Sequence, residues 1–212
     1  MDPNYAPLIP AQKVVVVGDG ACGKTSLLNV LIRGVFPEMY EPTIVEVEDT
    51  SLYVDGHSVT LNLWDTTGQE EYDRLRSLAY GGNTSAVLIA FAVDSPTSLE
   101  NVETLWFPEV AQYCPNVPIF LVALKKDLRN DAAAIAELAR TNMTTVSESE
   151  GRRMAERIGA KGYFECCAKV NEGVHETFQG IARVTIKKFL PAPQSSADTK
   201  EEDPLCPCCV IL

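Results

Sequence analysis

The chain has 212 residues, of which 46% are apolar and 22% charged, and its formal net charge is −11. This length allows one α/β domain with a full core and a tail, and the negative charge argues against binding to nucleic acid phosphates. No apolar run reaches the ~18 residues that a membrane-spanning helix needs. Residues 1–12 lack the basic start and apolar segment of a secretory signal, so we expect an N-terminal extension there.

The first half of the chain predicts two strands, a helix and a hairpin. Residues 13–18 (KVVVVG) form a short β-branched run, which is typical of a strand buried on both faces. Leucines at helical spacing predict a helix over 24–33, and a turn signal at 54–57 predicts a hairpin. Residues 59–64 alternate Val and Leu with Thr, Asn and Trp, which predicts a strand with two different faces.

The second half continues the alternation of strands and helices. Ser147 and Glu150 have the spacing of a capping box and predict the start of one helix, and Pro108 predicts a kink in another. The remaining predicted elements are strands at 86–93 and 118–124 and helices at 99–110, 131–140 and 174–189.

This order of elements predicts an α/β fold. Its mostly parallel sheet has helices on both faces, and the hairpin adds one antiparallel strand. From Pro191 onward the chain is rich in proline, serine and acidic residues. We therefore expect one folded domain over 13–190 and a flexible tail over 191–212.

The segment 18–25 (GDGACGKT) matches the phosphate-binding motif G-x-x-x-x-G-K-[ST] and lies between a predicted strand and a predicted helix. In such a loop, backbone N–H groups and a helix N-terminus favour phosphate oxygens. Lys24 is predicted to reach the β- and γ-phosphates, and Thr25 to offer its hydroxyl to Mg²⁺. The alternative, a glycine-rich turn with a chance Lys-Thr, does not account for the flanking elements.

A second motif, D-x-x-G-Q, follows the two-faced strand. Asp65 is predicted to hold Mg²⁺ through water, Gly68 to donate its N–H to the γ-phosphate, and Gln69 to orient the attacking water. A third segment, LKKD, ends a buried strand at Asp127, whose carboxylate can accept hydrogen bonds from guanine but not from adenine. Alone, Lys-Lys-Asp also fits a solvated loop. Asp127 argues against the alternative hypothesis that the protein is a P-loop ATPase or a metabolite kinase.

Seven segments resemble the Rho family of the Ras superfamily. They are 18–28 (GDGACGKTSLL), 36–43 (FPEMYEPT), 64–76 (WDTTGQEEYDRLR), 94–101 (DSPTSLEN), 106–109 (WFPE), 126–129 (KDLR) and 165–169 (ECCAK). The resemblance runs from about Lys13 to Leu190. It implies a Ras-like P-loop NTPase fold with a six-stranded sheet, five main helices and a Rho-type insert helix at 131–140. The 122–130 stretch looks most like a fungal Rho subgroup involved in polarised growth and exocytosis.

The resemblance also implies residue roles and two switch segments, 36–46 and 65–78. Thr43 would close onto Mg²⁺ and the γ-phosphate, Phe36 and Lys125 would contact the guanine base, and the N–H of Ala168 would meet guanine O6. The implied nucleotide-binding residues are Gly18, Asp19, Gly20, Ala21, Cys22, Gly23, Lys24, Thr25, Ser26, Phe36, Tyr40, Thr43, Asp65, Gly68, Lys125, Asp127, Cys167, Ala168 and Lys169. The implied Mg²⁺ ligands are Thr25, Thr43 and Asp65, and the implied catalytic residues are Gln69, Lys24 and Thr43.

Several positions bear on the reaction rate and on nucleotide retention. Glycine at Gly20 is expected because a side chain there would crowd Gln69 and a partner's arginine. Tyr40 occupies the position where proteins with an arginine of their own in switch I carry it. Leu124 replaces the usual Asn or Thr, and Thr67 replaces the usual Ala beside the γ-phosphate. The leading hypothesis is a GTPase that cycles between GTP and GDP. The alternative is a GTP-bound binding module without useful hydrolysis.

The last four residues fit the C-a-a-X prenylation motif. Its terminal leucine predicts geranylgeranylation of Cys209, and Cys206 and Cys208 are candidates for palmitate because the acidic tail lacks a polybasic segment. A zinc site in this cluster is not favoured, since both histidines are distant in sequence. The resemblance implies a lipid-anchored protein on the cytoplasmic face of the plasma membrane with a cytosolic pool. Its implied partners are an exchange factor, a GTPase-activating protein, a dissociation inhibitor and effectors.

Overall fold

A six-stranded sheet organises the part of the chain that the computed structural model describes, residues 8–38, 43–69 and 72–190. The strand order is β2-β3-β1-β4-β5-β6. Only β2 and β3 pair antiparallel among these strands, and the other neighbours pair parallel, so the predicted sheet is confirmed. The strands are β1 (Gln12–Gly18), β2 (Val45–Val54), β3 (His57–Thr66), β4 (Thr84–Ala92), β5 (Ile119–Leu124) and β6 (Gly162–Glu165).

Helices cover both faces of this sheet. The capping box at Ser147 and Glu150 is present, and Asp131 caps the predicted insert helix by accepting a hydrogen bond from the Ala134 N–H at 2.8 Å. The helices are α1 (Lys24–Arg33), α2 (Asp73–Ala79), α3 (Pro96–Asn101), α4 (Phe107–Tyr113), α5 (Ala132–Ala139), α6 (Glu148–Arg157) and α7 (Val174–Ile186). Short 3₁₀ segments lie at Lys126–Asn130, Ala168–Val170 and Lys187–Phe189.

The hydrophobic core is divided into two layers by the sheet. Val14 and Val16 of β1 pack in the layer that contains α1 and α7, whereas Val15 and Val17 pack in the layer that contains α4 and α6. All four valines are fully buried. Because successive side chains of a strand point to opposite faces, a continuous run of valine is what a strand covered on both sides requires.

The helix that contains Pro108 has a local irregularity rather than a uniform α-helical ladder. A π-helical turn, Val102–Trp106, joins α3 to α4, and the Phe107 N–H donates to the Val102 carbonyl. Proline has no N–H and its ring crowds the carbonyl four residues earlier. The wider π-helical turn accommodates both the missing N–H and the proline ring. The disturbance predicted at Pro108 is therefore a π-helical turn rather than a uniform α-helix.

The sheet brings the predicted motifs to one edge. The phosphate-binding loop follows β1, Asp65 lies near the end of β3, and Asp127 and Ala168 follow β5 and β6. These strands are mutually parallel, so their carboxyl ends meet at the same edge, where open α/β sheets bind ligands. Four of the predicted site residues, Tyr40, Cys206, Cys208 and Cys209, lie outside the described residues.

Candidate nucleotide-binding site

The loop between β1 and α1 has a backbone that only certain residues permit. Gly18 and Gly23 have φ angles of +143° and +111°, which glycine adopts readily. A Cβ on Gly18 would also lie 2.1 Å from the Ala90 carbonyl oxygen. Gly20 differs, because a Cβ there would meet nothing within 4 Å among the described residues. A Cβ alone at Gly20 therefore does not crowd Gln69, and the expectation that a side chain there crowds Gln69 and a partner's arginine stays a prediction.

Two adjoining cavities lie at this edge of the sheet and share Gly23, Ser26 and Lys125. The first is also lined by Gly20, Ala21, Lys24, Thr25, Thr43, Thr66, Thr67, Gly68 and Gln69. The second is also lined by Phe36, Leu124, Asp127, Leu128, Ala168 and Lys169. The residues predicted to bind phosphates thus line the first cavity, and most of those predicted to bind a base line the second. This arrangement suits an elongated ligand whose two ends differ in chemistry.

A few predicted residues support these cavities without lining them. Gly18 and Asp19 provide carbonyl oxygens that accept hydrogen bonds from Lys24 Nζ at 2.7 and 2.8 Å. The side chain of Cys22 is buried under the loop, and its thiol lies 3.8 Å from the Ala90 carbonyl oxygen. Burial raises the pKa of this thiol above its usual range. Cys22 therefore contributes packing, and Lys24 contributes a positive charge to the floor of the first cavity.

The residues predicted to hold Mg²⁺ lie within hydrogen-bond distance of one another. Thr25 Oγ1 is 2.6 Å from Asp65 Oδ2 and 2.9 Å from Thr43 Oγ1. Asp65 is 4% exposed, and its Oδ1 is buried without a hydrogen-bond partner among the described residues. Burial raises the pKa of Asp65, while the Thr25 hydroxyl and the Lys24 charge act to lower it. A buried carboxylate beside two hydroxyl oxygens fits a hard divalent cation that prefers oxygen ligands.

Thr67 connects the two predicted switch segments through hydrogen bonds. Its N–H donates to the Ile44 carbonyl at 2.9 Å, and its hydroxyl oxygen accepts the Gln69 N–H at 3.1 Å. The side chain of Thr67 is 4% exposed. The hydroxyl that Thr67 has and the usual Ala lacks therefore bonds to the backbone of Gln69, the residue predicted to orient the attacking water.

Gly68 lies directly against the phosphate-binding loop. A Cβ on Gly68 would be 2.2 Å from the Gly20 nitrogen and 2.5 Å from the Gly18 carbonyl oxygen. No real Cβ tolerates such distances to backbone atoms, so this close approach requires glycine. The predicted role of Gly68 at the γ-phosphate is compatible with this position, because the residue also lines the first cavity.

The second cavity contains the residues predicted to recognise the base. Lys125 has a left-handed φ of +56°, and its Nζ is 3.3 Å from Asp94 Oδ2. The Cys167 thiol donates to Asp127 Oδ1 at 3.1 Å, and burial is the main cause that raises the pKa of this thiol. A protonated thiol is the form that donates. Cys167, which the resemblance implied to be a nucleotide-binding residue, thus orients the Asp127 carboxylate through its side chain.

Leu124 lines the second cavity next to Gly23, a residue that both cavities share. Its side chain is 2% exposed, and its Cδ1 lies 3.6 Å from the position of a Cβ on Gly23. An Asn or Thr at this position would present a polar group to the phosphate-binding loop. Leu124 instead packs in the core layer that contains α1, so apolar contact takes the place of a hydrogen bond.

Sequence reasoning included Asp19 but missed four residues, Asn101, Trp106, Glu109 and Arg76, that connect its loop to α2. Asp19 accepts hydrogen bonds from Asn101 Nδ2 and Trp106 Nε1 at 2.8 and 2.7 Å. Arg76 and Glu109 form a buried bidentate pair with N–O distances of 2.7 and 2.8 Å. These residues occur in the segments that resemble the Rho family, but nothing in their spacing indicates that they meet.

The chain matches known proteins over most of its length. Residues 13–187 match the Ras family. The chain is 51% identical over 191 residues to GTP-binding protein rho1 of Schizosaccharomyces pombe, covering 90% of this chain and 94% of that protein. It is 48% identical over 201 residues to rho5 of the same yeast, covering 95% and 97%. It is 54% identical over 177 residues to human Rho-related GTP-binding protein RhoB, covering 84% and 90%.

The fold is that of a Ras-like P-loop domain, and its phosphate-binding loop lies at the same sheet edge as the two cavities lined by the predicted phosphate-binding and base-binding residues. At about half identity over most of both chains, the similarity extends well beyond the loop motif. The chain therefore belongs to the Rho family of small GTPases.

Proposed function

We propose that this protein is a molecular switch that binds GTP and GDP with Mg²⁺, hydrolyses GTP slowly and recruits effectors only in the GTP state. The observation that supports this best is the pair of adjoining cavities, one lined by Lys24 and Thr25 and the other by Asp127. Asp127 offers carboxylate oxygens to guanine N1–H and its 2-amino group. Adenine has no such amino group and has an acceptor at N1, so ATP is excluded.

Each part of the site has a distinct task in this proposal. Lys24 neutralises the β- and γ-phosphates, and Thr25, Thr43 and Asp65 would hold Mg²⁺. The ion, when bound, supplies charge that stabilises the phosphate oxygens during transfer. Gln69 orients a water whose oxygen forms a bond to the γ-phosphorus while the bond to the β-phosphate oxygen breaks. Both protons of the water leave with the inorganic phosphate, and GDP remains.

We expect slow hydrolysis because the predicted switch I, residues 36–46, has no arginine to add positive charge at the transition state. Tyr40 stands where an arginine in switch I would stabilise the transition state, so we expect an intrinsic rate on the order of 10⁻⁴ s⁻¹ or below. A partner's arginine would raise this rate greatly. The alternative is a GTP-bound module that does not cycle, and the Thr67 hydroxyl bonded to the Gln69 N–H is the observation that favours it.

The proposal places the nucleotide-binding domain at 13–190, between an N-terminal extension and a tail with a lipid anchor. None of the described helices is long and apolar enough to cross a bilayer. Geranylgeranylation of Cys209, with palmitate on Cys206 or Cys208, would bring the GTP-bound domain to the cytoplasmic face of the plasma membrane. A dissociation inhibitor that covers the prenyl group would account for a cytosolic pool, and an exchange factor and a GTPase-activating protein would set the nucleotide state.

The test identifies the nucleotide that copurifies with the protein and then follows one turnover of bound GTP. We expect the copurified nucleotide to be GDP or GTP and ATP not to compete for the site. We also expect slow hydrolysis of GTP that an activating protein accelerates. Asp127→Asn should weaken GTP and admit xanthine nucleotides, because the amide offers the donor that a 2-oxo group needs. Gln69→Leu is the matched control, since it should abolish the accelerated rate while guanine specificity stays unchanged. Tight competition by ATP would refute the proposal.

A further inference from the structure

Arg76 is a buried cation in α2 that does not line either cavity. It is 1% exposed, although arginine is almost never buried unless it is paired. Its guanidinium donates to both Glu109 oxygens at 2.7 and 2.8 Å and to Asp73 Oδ1 at 2.6 Å. Burial by itself acts to lower the pKa of Arg76, but the bonds to Glu109 raise it above its usual value. Arg76 is therefore charged and held in one orientation.

Two residues that contact Arg76, Trp106 and Glu109, belong to the helical segment 102–113, which is also bonded to the phosphate-binding loop. The guanidinium carbon lies 4.8 Å from the centroid of the Trp106 ring, and Trp106 Nε1 donates to Asp19 Oδ1 at 2.7 Å. Glu109 also accepts the Tyr80 hydroxyl at 2.6 Å. Trp106 is itself 1% exposed. Arg76 is thus held, through Trp106, at a fixed position relative to Asp19 and the loop on which the phosphates would lie.

The remaining hydrogen bond of Arg76 acts on the switch backbone. Arg76 Nη1 donates to the Thr67 carbonyl at 3.2 Å. This carbonyl belongs to the same planar peptide unit as the Gly68 N–H, and in a trans peptide the C=O and N–H point in opposite directions. Fixing the carbonyl therefore also fixes the direction of the Gly68 N–H.

We propose that Arg76 is a positioning residue for the third phosphate of GTP. By holding the Thr67 carbonyl, it orients the Gly68 N–H toward the end of the first cavity where the γ-phosphate binds. This inference rests on the proposed nucleotide site. It adds a residue outside the phosphate-binding motifs that sets the preference for GTP over GDP.

The preference follows because only GTP has the group that the Gly68 N–H contacts. In the GDP state Arg76 still packs against Trp106 and Glu109, but the Gly68 N–H has no phosphate to meet. Loosening Arg76 should therefore weaken GTP binding and leave GDP binding nearly unchanged. A residue that merely stabilises the fold would weaken both nucleotides by the same factor.

The experiment measures the affinities of full-length protein for GDP and for a non-hydrolysable GTP analogue, by competition with fluorescent GDP at fixed Mg²⁺. Arg76→Lys retains the charge but loses the planar group that bonds Glu109 and Thr67 together. We expect about a tenfold loss of affinity for the GTP analogue and less than about a twofold change for GDP. Arg183→Lys is the matched control, since Arg183 forms an exposed bidentate pair with Asp55 on the hairpin and should change neither affinity.

A second variant decides the matter if Arg76→Lys does not fold. Glu109→Gln removes the charge that holds Arg76 and should give a smaller loss, about threefold, with the same selectivity for the GTP analogue. Equal losses for both nucleotides in the folded variant would overturn the inference and leave the proposed function intact. A parent protein that bound neither nucleotide would overturn both.

Discussion

Leu124→Asn should slow the release of GDP. Leu124 lies at the end of β5, is 2% exposed, and has its Cδ1 3.6 Å from the position of a Cβ on Gly23. Asn is close to Leu in size, so its amide would lie beside the backbone of the phosphate-binding loop. One added hydrogen bond contributes about 1 to 1.5 kcal/mol, which corresponds to an off-rate about fivefold to tenfold lower.

The same substitution should make the nucleotide-free protein less stable. Burial of a leucine side chain contributes about 1.5 to 3 kcal/mol to the free energy of unfolding, and Asn forfeits most of it. The two expected effects therefore have opposite signs, which distinguishes a specific bond from general tightening of the fold. Slower GDP release should accompany a lower melting temperature of the empty protein.

The assay follows the release of fluorescent GDP into excess unlabelled GDP at fixed Mg²⁺. Leu124→Ala is the matched control, because it removes the packing without adding a donor and should release GDP at least as fast as the parent. Equal off-rates for the parent and Leu124→Asn would refute the reasoning. They would show that the packing of Leu124 against the loop already restrains GDP as firmly as a hydrogen bond.

Two further predictions concern catalysis and membrane attachment. Thr67→Ala should raise single-turnover hydrolysis about fivefold, because it releases the Gln69 N–H from the Thr67 hydroxyl, whereas Thr67→Ser should keep the slow rate; identical rates for both variants would contradict this. Cys209→Ser should make the protein wholly soluble in cell fractionation, and replacing Cys206 and Cys208 by serine should leave it prenylated but loosely bound. Firm membrane binding of that double variant would show that the second signal lies elsewhere.

The sequence alone determined the fold class and most of the candidate site. The β-branched run at 13–18 specifies a buried strand, and the positive φ angles of Gly18 and Gly23 in the following loop are a local backbone reason for glycine at both positions. Asp65 and Asp127 were predicted from the motifs D-x-x-G-Q and LKKD at predicted strand ends, and the parallel sheet brings both strand ends to one edge. Short-range chemistry and a fixed topology made these predictions possible.

Other features were decided only by the tertiary structure. Arg76 is an ordinary charged residue of a short helix until the fold places Glu109, 33 residues later, against its guanidinium. Asp19 and Trp106 are likewise 87 residues apart in the chain, and Cys167 is 40 residues from the carboxylate it holds. No periodicity or motif encodes such pairs. They depend on how helices pack on the sheet, since a buried charge is tolerated only where packing brings its partners within hydrogen-bond distance.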